Sequence, residues 1–374
     1  MECNKCLFDT ETTDAILDSE GICNYCRLFE KMEGEYPVSK DGRKELFRIC
    51  KEIKGMRKTS QKYDCIIGVS GGLDSSFLLY FITQKLGLHP LAVHFDNSWN
   101  SSIAIHNLET LCHKFKVDLE VYKVDPKEFD DIILSFLKSG VLDIDAPTDI
   151  GLITTLYMTA EKYDIRYILE GHSFRTEGVQ PLNWAYVDGQ YIDDIWGKYG
   201  NHNRNTYPNL WIHLFLKWTV IKRIRRIRPL YYIDYDKECA KKILAKYGFQ
   251  NYDGHHYENK WSAFNYSYYL PKRAGIDGRK NELCAYVRRG ILSKEEARSI
   301  LKQPITYDKK LICEVKNRLS LSEFELENLM SAPIKNWRQF RTYKPFFERT
   351  KLLWYILCKH EIIPESFYVK YCKK

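Results

Sequence analysis

The chain has 374 residues, with 57 lysines and arginines against 49 aspartates and glutamates, a formal net charge of +8. That length buries a real core and accommodates two domains or one elaborated domain, while the mild, dispersed charge suits anionic small molecules, phosphosugars and nucleic acid about equally. The first twenty positions are too polar and acidic for a signal peptide. No apolar run approaches the roughly 18–20 residues that span a bilayer, so a cytoplasmic protein without a transmembrane segment is expected.

Residues 1–30 hold two close cysteine pairs, Cys3-x-x-Cys6 and Cys23-x-x-Cys26, with sixteen residues between them. Thiols stay reduced in the cytoplasm, and each pair fits one side of a tetrahedral Zn2+. Four thiolates leave no open position on the metal, so this zinc is expected to be structural. The other cysteines show no pairing and read as packing residues. Residues 31–62 are charged and helix-prone and read as a connecting helix.

From 63 to 250 strand-like and helix-like segments alternate. Asp64–Val69, His89–Asp96, Asp118–Val124 and Tyr167–Glu170 read as strands, with a fifth around Ile227–Ile233. Helices are expected near Ser75–Leu86, Ser101–Phe115, Lys127–Lys138 and Ile150–Tyr163. Such alternation implies an α/β fold with a doubly wound parallel sheet, whose ligands bind beyond the carboxyl ends of the strands. Leu210–Arg228 reads as a basic amphipathic helix for core packing or partner contact. Residues 251–374 read as a mainly helical C-terminal region with an aromatic-rich start.

Ser70-Gly71-Gly72-Leu73-Asp74-Ser75 lies between the first strand and the first helix of that alternation. Adjacent glycines allow a close backbone approach, and the amides at the helix start form an anion cradle. Ser70 and Ser75 add hydroxyl donors, and Asp74 is placed to hold Mg2+ on phosphate oxygens. The Gly-Lys-[Ser/Thr] ending of a Walker motif is absent.

Ser-Gly-Gly-x-Asp-Ser resembles the signature of the PP-loop ATP pyrophosphatases. In that superfamily ATP is split to pyrophosphate, AMP passes to a carbonyl-type oxygen, and a nucleophile displaces it. The resemblance implies that Ser70, Gly71, Gly72, Asp74 and Ser75 bind ATP. It adds Asp96, ending the second strand where adenosine is commonly gripped, and Gly171-His172, ending a later strand and facing the phosphates.

A four-cysteine knuckle before such a domain resembles the bacterial N-acetyl sugar amidotransferases of surface-polysaccharide pathways. Further similar stretches are Pro147-Thr148-Asp149-Ile150-Gly151, Glu170-Gly171-His172 with Thr176-Glu177-Gly178, His255-His256-Tyr257-Glu258-Asn259, and Tyr269 through Lys280. The resemblance implies that ATP and Mg2+ activate the acetamido oxygen of a nucleotide-linked or nonulosonic sugar, and that ammonia converts the group to an acetamidino group. No Gly-x-Cys-x-Gly elbow exists, the nearest stretch being Gly21-Ile22-Cys23-Asn24-Tyr25 within the zinc motif, and Glu2 separates Met1 from Cys3. Ammonia is therefore expected from a separate glutaminase subunit, and the resemblance implies partners akin to the imidazole glycerol phosphate synthase pair.

Glu177 is a candidate magnesium ligand or substrate-orienting group. His256 and Glu258 share a phase in an extended segment and are candidates for proton transfer or for gripping sugar hydroxyls. Lys272, Arg273, Arg279 and Lys280 are candidates for neutralising a substrate diphosphate or carboxylate, with a solvated basic surface the commoner explanation. The rival readings are a PP-loop tRNA thiolase and a non-catalytic nucleotide-binding protein. The first needs a reactive cysteine pair in the catalytic domain, which the sequence does not offer. Nor does an aromatic–basic stripe indicate nucleic acid.

Overall fold

The computed structural model describes residues 1–201, 204–252, 257–360, 362–363 and 365–372. Its centre is a five-stranded parallel sheet: β1 (Cys65–Gly68), β2 (Pro90–Asp96), β3 (Leu119–Lys123), β4 (Tyr167–Leu169) and β5 (Arg225–Ile227), in the order β3-β2-β1-β4-β5. β1 lies in the middle because its run is apolar on both faces. Cys65 and Ile67 join one hydrophobic cluster and Ile66 the opposite one. Period-2 alternation with burial on both sides is the mark of a central parallel strand.

Residues 31–62 form no single connector. Two helices, α1 (Asn24–Glu35) and α2 (Lys40–Met56), are separated at Pro37, which lacks the amide needed to continue a helix. The Ser39 hydroxyl restarts the chain by accepting from the Asp41 amide at 3.1 Å. Leu46, Ile49, Cys50 and Ile53 of α2 pack in the same cluster as Cys65 and Ile67 of β1, so α2 is a layer of the sheet domain. That face also carries α3 (Leu73–Tyr80, continued by a π turn to Lys85) and α4 (Ser102–Phe115).

After β3 come α5 (Pro126–Ser139) and α6 (Ala146–Lys162), and α6 covers the opposite face of the sheet. The expected basic helix over 210–228 is a correction. Helix Ile212–Leu216 and a π turn Lys217–Ile221 end before Arg223, whose φ of 54° is left-handed, and the chain then enters β5. The apolar residues pack inward, with Trp218 stacked on Tyr157 at 5.3 Å. The fifth strand accordingly precedes its expected place, and Pro229–Tyr232 is a 3-10 turn.

From Lys260 onward every regular element among the described residues is helical. Trp261, Phe264 and Tyr269, all buried, join Phe129, Ile132 and Phe136 of α5 in a further cluster that welds this region to the sheet domain.

Candidate active site and metal centre

The Ser70–Ser75 loop leaves β1 and enters α3 at the carboxyl edge of the sheet. The Ser70 amide donates to Ser75 Oγ at 3.2 Å, and the Gly72 amide donates to Ser70 Oγ at 3.2 Å. Gly72 caps α3 without a side-chain hydrogen bond of its own, and the Tyr252 hydroxyl meets the Leu73 amide at the helix start. Two glycines make this geometry possible. Gly71 has φ 79°, and a Cβ there would lie 2.1 Å from the Ala104 carbonyl oxygen. At Gly171, just beyond β4, a Cβ would lie 2.9 Å from Ser75 Cα, so only glycine lets β4 approach the loop so closely. Gly71→Ala is therefore expected to destabilise the protein by at least about 2 kcal/mol, measured by denaturant unfolding. An unchanged midpoint would show that the loop relaxes freely.

The loop opens into a cleft of about 2990 Å³, lined by Ser70, Gly72, Asp74, Gly171, His172 and Glu177 among others. Carboxylates crowd its rim. Burial, with Glu177 nearby, pushes the Asp74 carboxyl up to about 7, although Lys237 and a hydrogen bond from the Tyr235 hydroxyl pull the other way. Glu177 is hydrogen-bonded to His172 Nδ1 and accepts from the Ser173 amide at 3.3 Å. Glu282 pairs with Lys237 at 2.7 Å and accepts from Tyr286 at 2.9 Å. Glu258 accepts from Tyr252 at 2.9 Å, and its carboxyl carbon would lie 3.3 Å from a Cβ on Gly72. Divalent cations between such an acidic rim and the loop would favour phosphate binding there.

Long-range hydrogen bonds bring Glu258 here. Asn107 of α4 donates to the Gly71 carbonyl at 3.3 Å and receives the Gln250 amide at 2.7 Å. The Ser101 amide donates to the Glu258 carbonyl at 2.9 Å. His256 lies outside the described residues. Asp96 stands apart from the others and does not line the cleft. Its carboxylate accepts from the Ser98 amide and Asn100 Nδ2, both at 2.9 Å, and shapes the turn after β2.

Of the four basic residues at 272–280 only Arg279 lines the cleft. Arg273 donates to backbone carbonyls including Met330 at 2.9 Å, Arg279 pairs with Asp277 at 2.8 Å, and Lys280 pairs with Asp9 at 2.5 Å. Lys272 lies over the Tyr268 ring at 4.5 Å. Three of the four are occupied in tying the fold together, and the fourth rests on an aromatic face. Sequence reasoning missed Tyr235, Lys237, Tyr252, Asn281 and Glu282 because each stands in a locally ordinary helix or loop with no motif around it.

The four N-terminal cysteines are buried, with all Sγ atoms within 4.8 Å of one another. Cys6 and Cys23 sulfurs are 3.7 Å apart, and those of Cys3 and Cys26 3.9 Å. A tetrahedron with Zn–S bonds of about 2.3 Å has edges of about 3.8 Å, so the cluster fits that ion. Backbone amides also support thiolate charge. Cys23 N–H donates to Cys3 Sγ at 3.2 Å and Lys5 N–H to the same sulfur at 3.3 Å.

A distant residue completes the surroundings. Arg288, 7% exposed, donates to Cys26 Sγ at 3.3 Å and Cys6 Sγ at 3.4 Å, beside the Phe8 ring. It belongs to the helix Arg279–Arg288. That helix also carries Glu282 and Asn281, whose side chain donates to the Glu177 carbonyl at 2.6 Å. One helix thus touches both the thiol cluster and the cleft.

Among the described residues no helix is long and apolar enough to cross a membrane. Over 174 residues the chain is 27% identical to the uncharacterized protein MJ1599 of Methanocaldococcus jannaschii. That match takes in 46% of this chain and 59% of the relative. Similar solved structures include NMN synthetase from Francisella tularensis, at 13% identity and TM-score 0.32, covering 76% of this chain and 95% of that one. The NH3-dependent NAD synthetase from Campylobacter jejuni gives 12% identity and TM-score 0.32, covering 78% and 98%. The U34-tRNA thiolase NcsA from Methanococcus maripaludis gives 14% identity and TM-score 0.31, covering 86% and 99%. The family model of the C-terminal domain of WbpG-like LPS biosynthesis proteins matches residues 258–353, from the Glu258 that touches the loop to the third residue of the Lys351–Lys359 helix.

Proposed function

We propose that the chain is an ATP-dependent amidotransferase that replaces the acetamido oxygen of a nucleotide-linked N-acetyl sugar with nitrogen. The carrying observation is the cradle at Ser70–Ser75, held open by Gly71 and Gly171 and facing an acidic cleft. In this reading the cradle amides and the hydroxyls of Ser70 and Ser75 bind the departing pyrophosphate. The amide oxygen attacks the α-phosphorus, the bond to pyrophosphate breaks, and AMP is left on an imidate carbon. Ammonia adds to that carbon, a proton leaves the nitrogen, and the C–O bond to AMP breaks to give the amidine. An amide carbonyl is a poor electrophile, and this activation is what the consumption of ATP accomplishes.

Asp74 and Glu177 are the residues to hold Mg2+, which supplies charge neutralisation on the phosphate oxygens. Glu258, against Gly72, is the candidate for the ammonia proton. The WbpG-like domain supports a place in surface-polysaccharide synthesis. Ammonia comes from a separate glutaminase subunit in this reading, with no nucleic acid partner. The thiolase alternative is disfavoured. Among the described residues Cys65 and Cys112 of the sheet domain are buried, and neither they nor Cys239 line the cleft.

The test is incubation with ATP, magnesium, ammonium and a panel of UDP-acetamido sugars, followed by mass spectrometry for replacement of oxygen by NH. Pyrophosphate release that depends on bulk tRNA instead of a sugar would overturn the reading.

A pH dependence follows from Asp74. Its carboxyl is raised to about 7, so the folded metal-free protein favours the protonated form. The carboxylate therefore costs folding stability progressively as pH rises from about 4 to about 7, and metal binding must displace a proton below 7. Apparent Mg2+ affinity, followed by calorimetry, is expected to fall about tenfold per pH unit below 7 and to level off above it. A flat profile from pH 5 to 8 would remove Asp74 from the metal site.

A further inference from the structure

An arginine of β5 and one just beyond the strand share one acid. Arg226 Nη2 lies 2.6 Å from Glu170 Oε1 and Arg228 Nε lies 3.3 Å from Glu170 Oε2. Arg228 also donates to the Tyr231 hydroxyl at 3.0 Å. All three charged side chains are no more than about a fifth exposed (20%, 22% and 13%), and all line the cleft. A guanidinium does not lose its proton, so the trio retains one positive charge in a partly desolvated place.

Lys370, on the last helix (Glu365–Cys372), lines the same cleft. Burial lowers its ammonium below the usual range and Arg228 pushes the same way, against Asp149 and Asp143. Its neighbour Tyr371 packs on Tyr186 at 5.9 Å, and Tyr186 stacks on Trp337 at 4.1 Å. Trp337 is 5% exposed and lines the cleft, and its indole N–H has no hydrogen-bond partner. The retained positive charge of the trio, Lys370 and a buried unpaired donor therefore all line this cleft.

We infer that Arg226, Arg228 and Lys370 form an anion subsite for the phosphate or carboxylate of the acceptor, with the sugar ring lying towards Trp337. This deepens the amidotransferase reading and rests on it. The two arginines stand on and just beyond β5, two strand spacings or about 10 Å across the sheet from β1, on the far side of Glu170 in the same cleft as the pyrophosphate cradle. A planar fork is suited to two phosphate or carboxylate oxygens at once, and the acceptor class that fits is an anionic sugar.

The test is calorimetric titration of the full chain and its R228Q, R228K and K370M variants with three probes: UDP-N-acetylglucosamine, free N-acetylglucosamine, and ATP with magnesium. R228Q leaves Glu170 paired with Arg226, and melting curves check that each variant folds. The UDP sugar is expected to bind at least tenfold more tightly than the free sugar. Its affinity is expected to fall about 10- to 100-fold in R228Q and less in R228K, with ATP affinity unchanged. Equal binding of the two sugars, no binding of the UDP sugar by wild type, or a loss shared equally by ATP would overturn the subsite. Failure of wild type to bind ATP while the UDP sugar still depends on Arg228 would instead sink adenylylation and leave the subsite standing.

Discussion

Asp74→Asn is expected to lower sugar-dependent pyrophosphate release by at least about 100- to 1000-fold while leaving the melting temperature unchanged or higher. The two halves have one cause. Asp74 lies in the cleft wall beside Glu177, where its charge is disfavoured and its carboxyl is held near 7. Asparagine keeps an oxygen for the Tyr235 hydroxyl, so the local hydrogen bond survives. It removes the charge, and with it both the repulsion from Glu177 and the grip on a divalent cation. Functional sites commonly hold such costly charges, and neutralising them exchanges activity for stability. Paired rate and melting measurements decide the matter. A variant that turns over normally would move the chemistry away from this loop, and one that melts far lower would make Asp74 a structural residue.

The second large effect concerns the thiol cluster. Cys6→Ser is expected to abolish stoichiometric zinc, measured by elemental analysis, and to cost at least about 4 kcal/mol of stability, because metal binding in such a knuckle is folding free energy. The damage is expected to spread beyond residues 1–30. Arg288 donates to two of the sulfurs, and without thiolates its guanidinium becomes a buried cation lacking counter-charge. Its helix also carries Asn281, bonded to the Glu177 carbonyl, and Glu282, bonded to Lys237. Hydrogen exchange over 279–288 should therefore accelerate in Cys6→Ser and after chelation. Protection there equal to wild type would mean that the knuckle stabilises only itself.

The features legible in the sequence were those encoded by neighbours in the chain. The Ser70–Ser75 loop was readable because glycines, hydroxyls and an acid occur together between an apolar run and a helix. The four cysteines were readable because two short spacings suffice to recognise opposing knuckles. The regions that misled were those in which local periodicity has two solutions. Residues 210–228 carry an amphipathic alternation that suits one helix, but the turn at Arg223 divides it into a packed helix and an edge strand. The basic run at 272–280 offered four candidates for a substrate anion, yet Arg273 and Lys280 find partners within the fold and only Arg279, itself paired with Asp277, lines the cleft.

By itself the sequence determined the parallel α/β sheet, the glycine-rich loop after its first strand and the four-cysteine set, because backbone torsions, side-chain alternation and chelate spacing are short-range properties. Only the tertiary structure decided that Glu258 lies against Gly72, that Arg226 and Arg228 share Glu170, and that Arg288 reaches sulfurs 262 positions away at Cys26. The physical reason is that a charge acquires its meaning from the charges and the solvent around it. Those surroundings are assembled by packing between elements far apart in the chain.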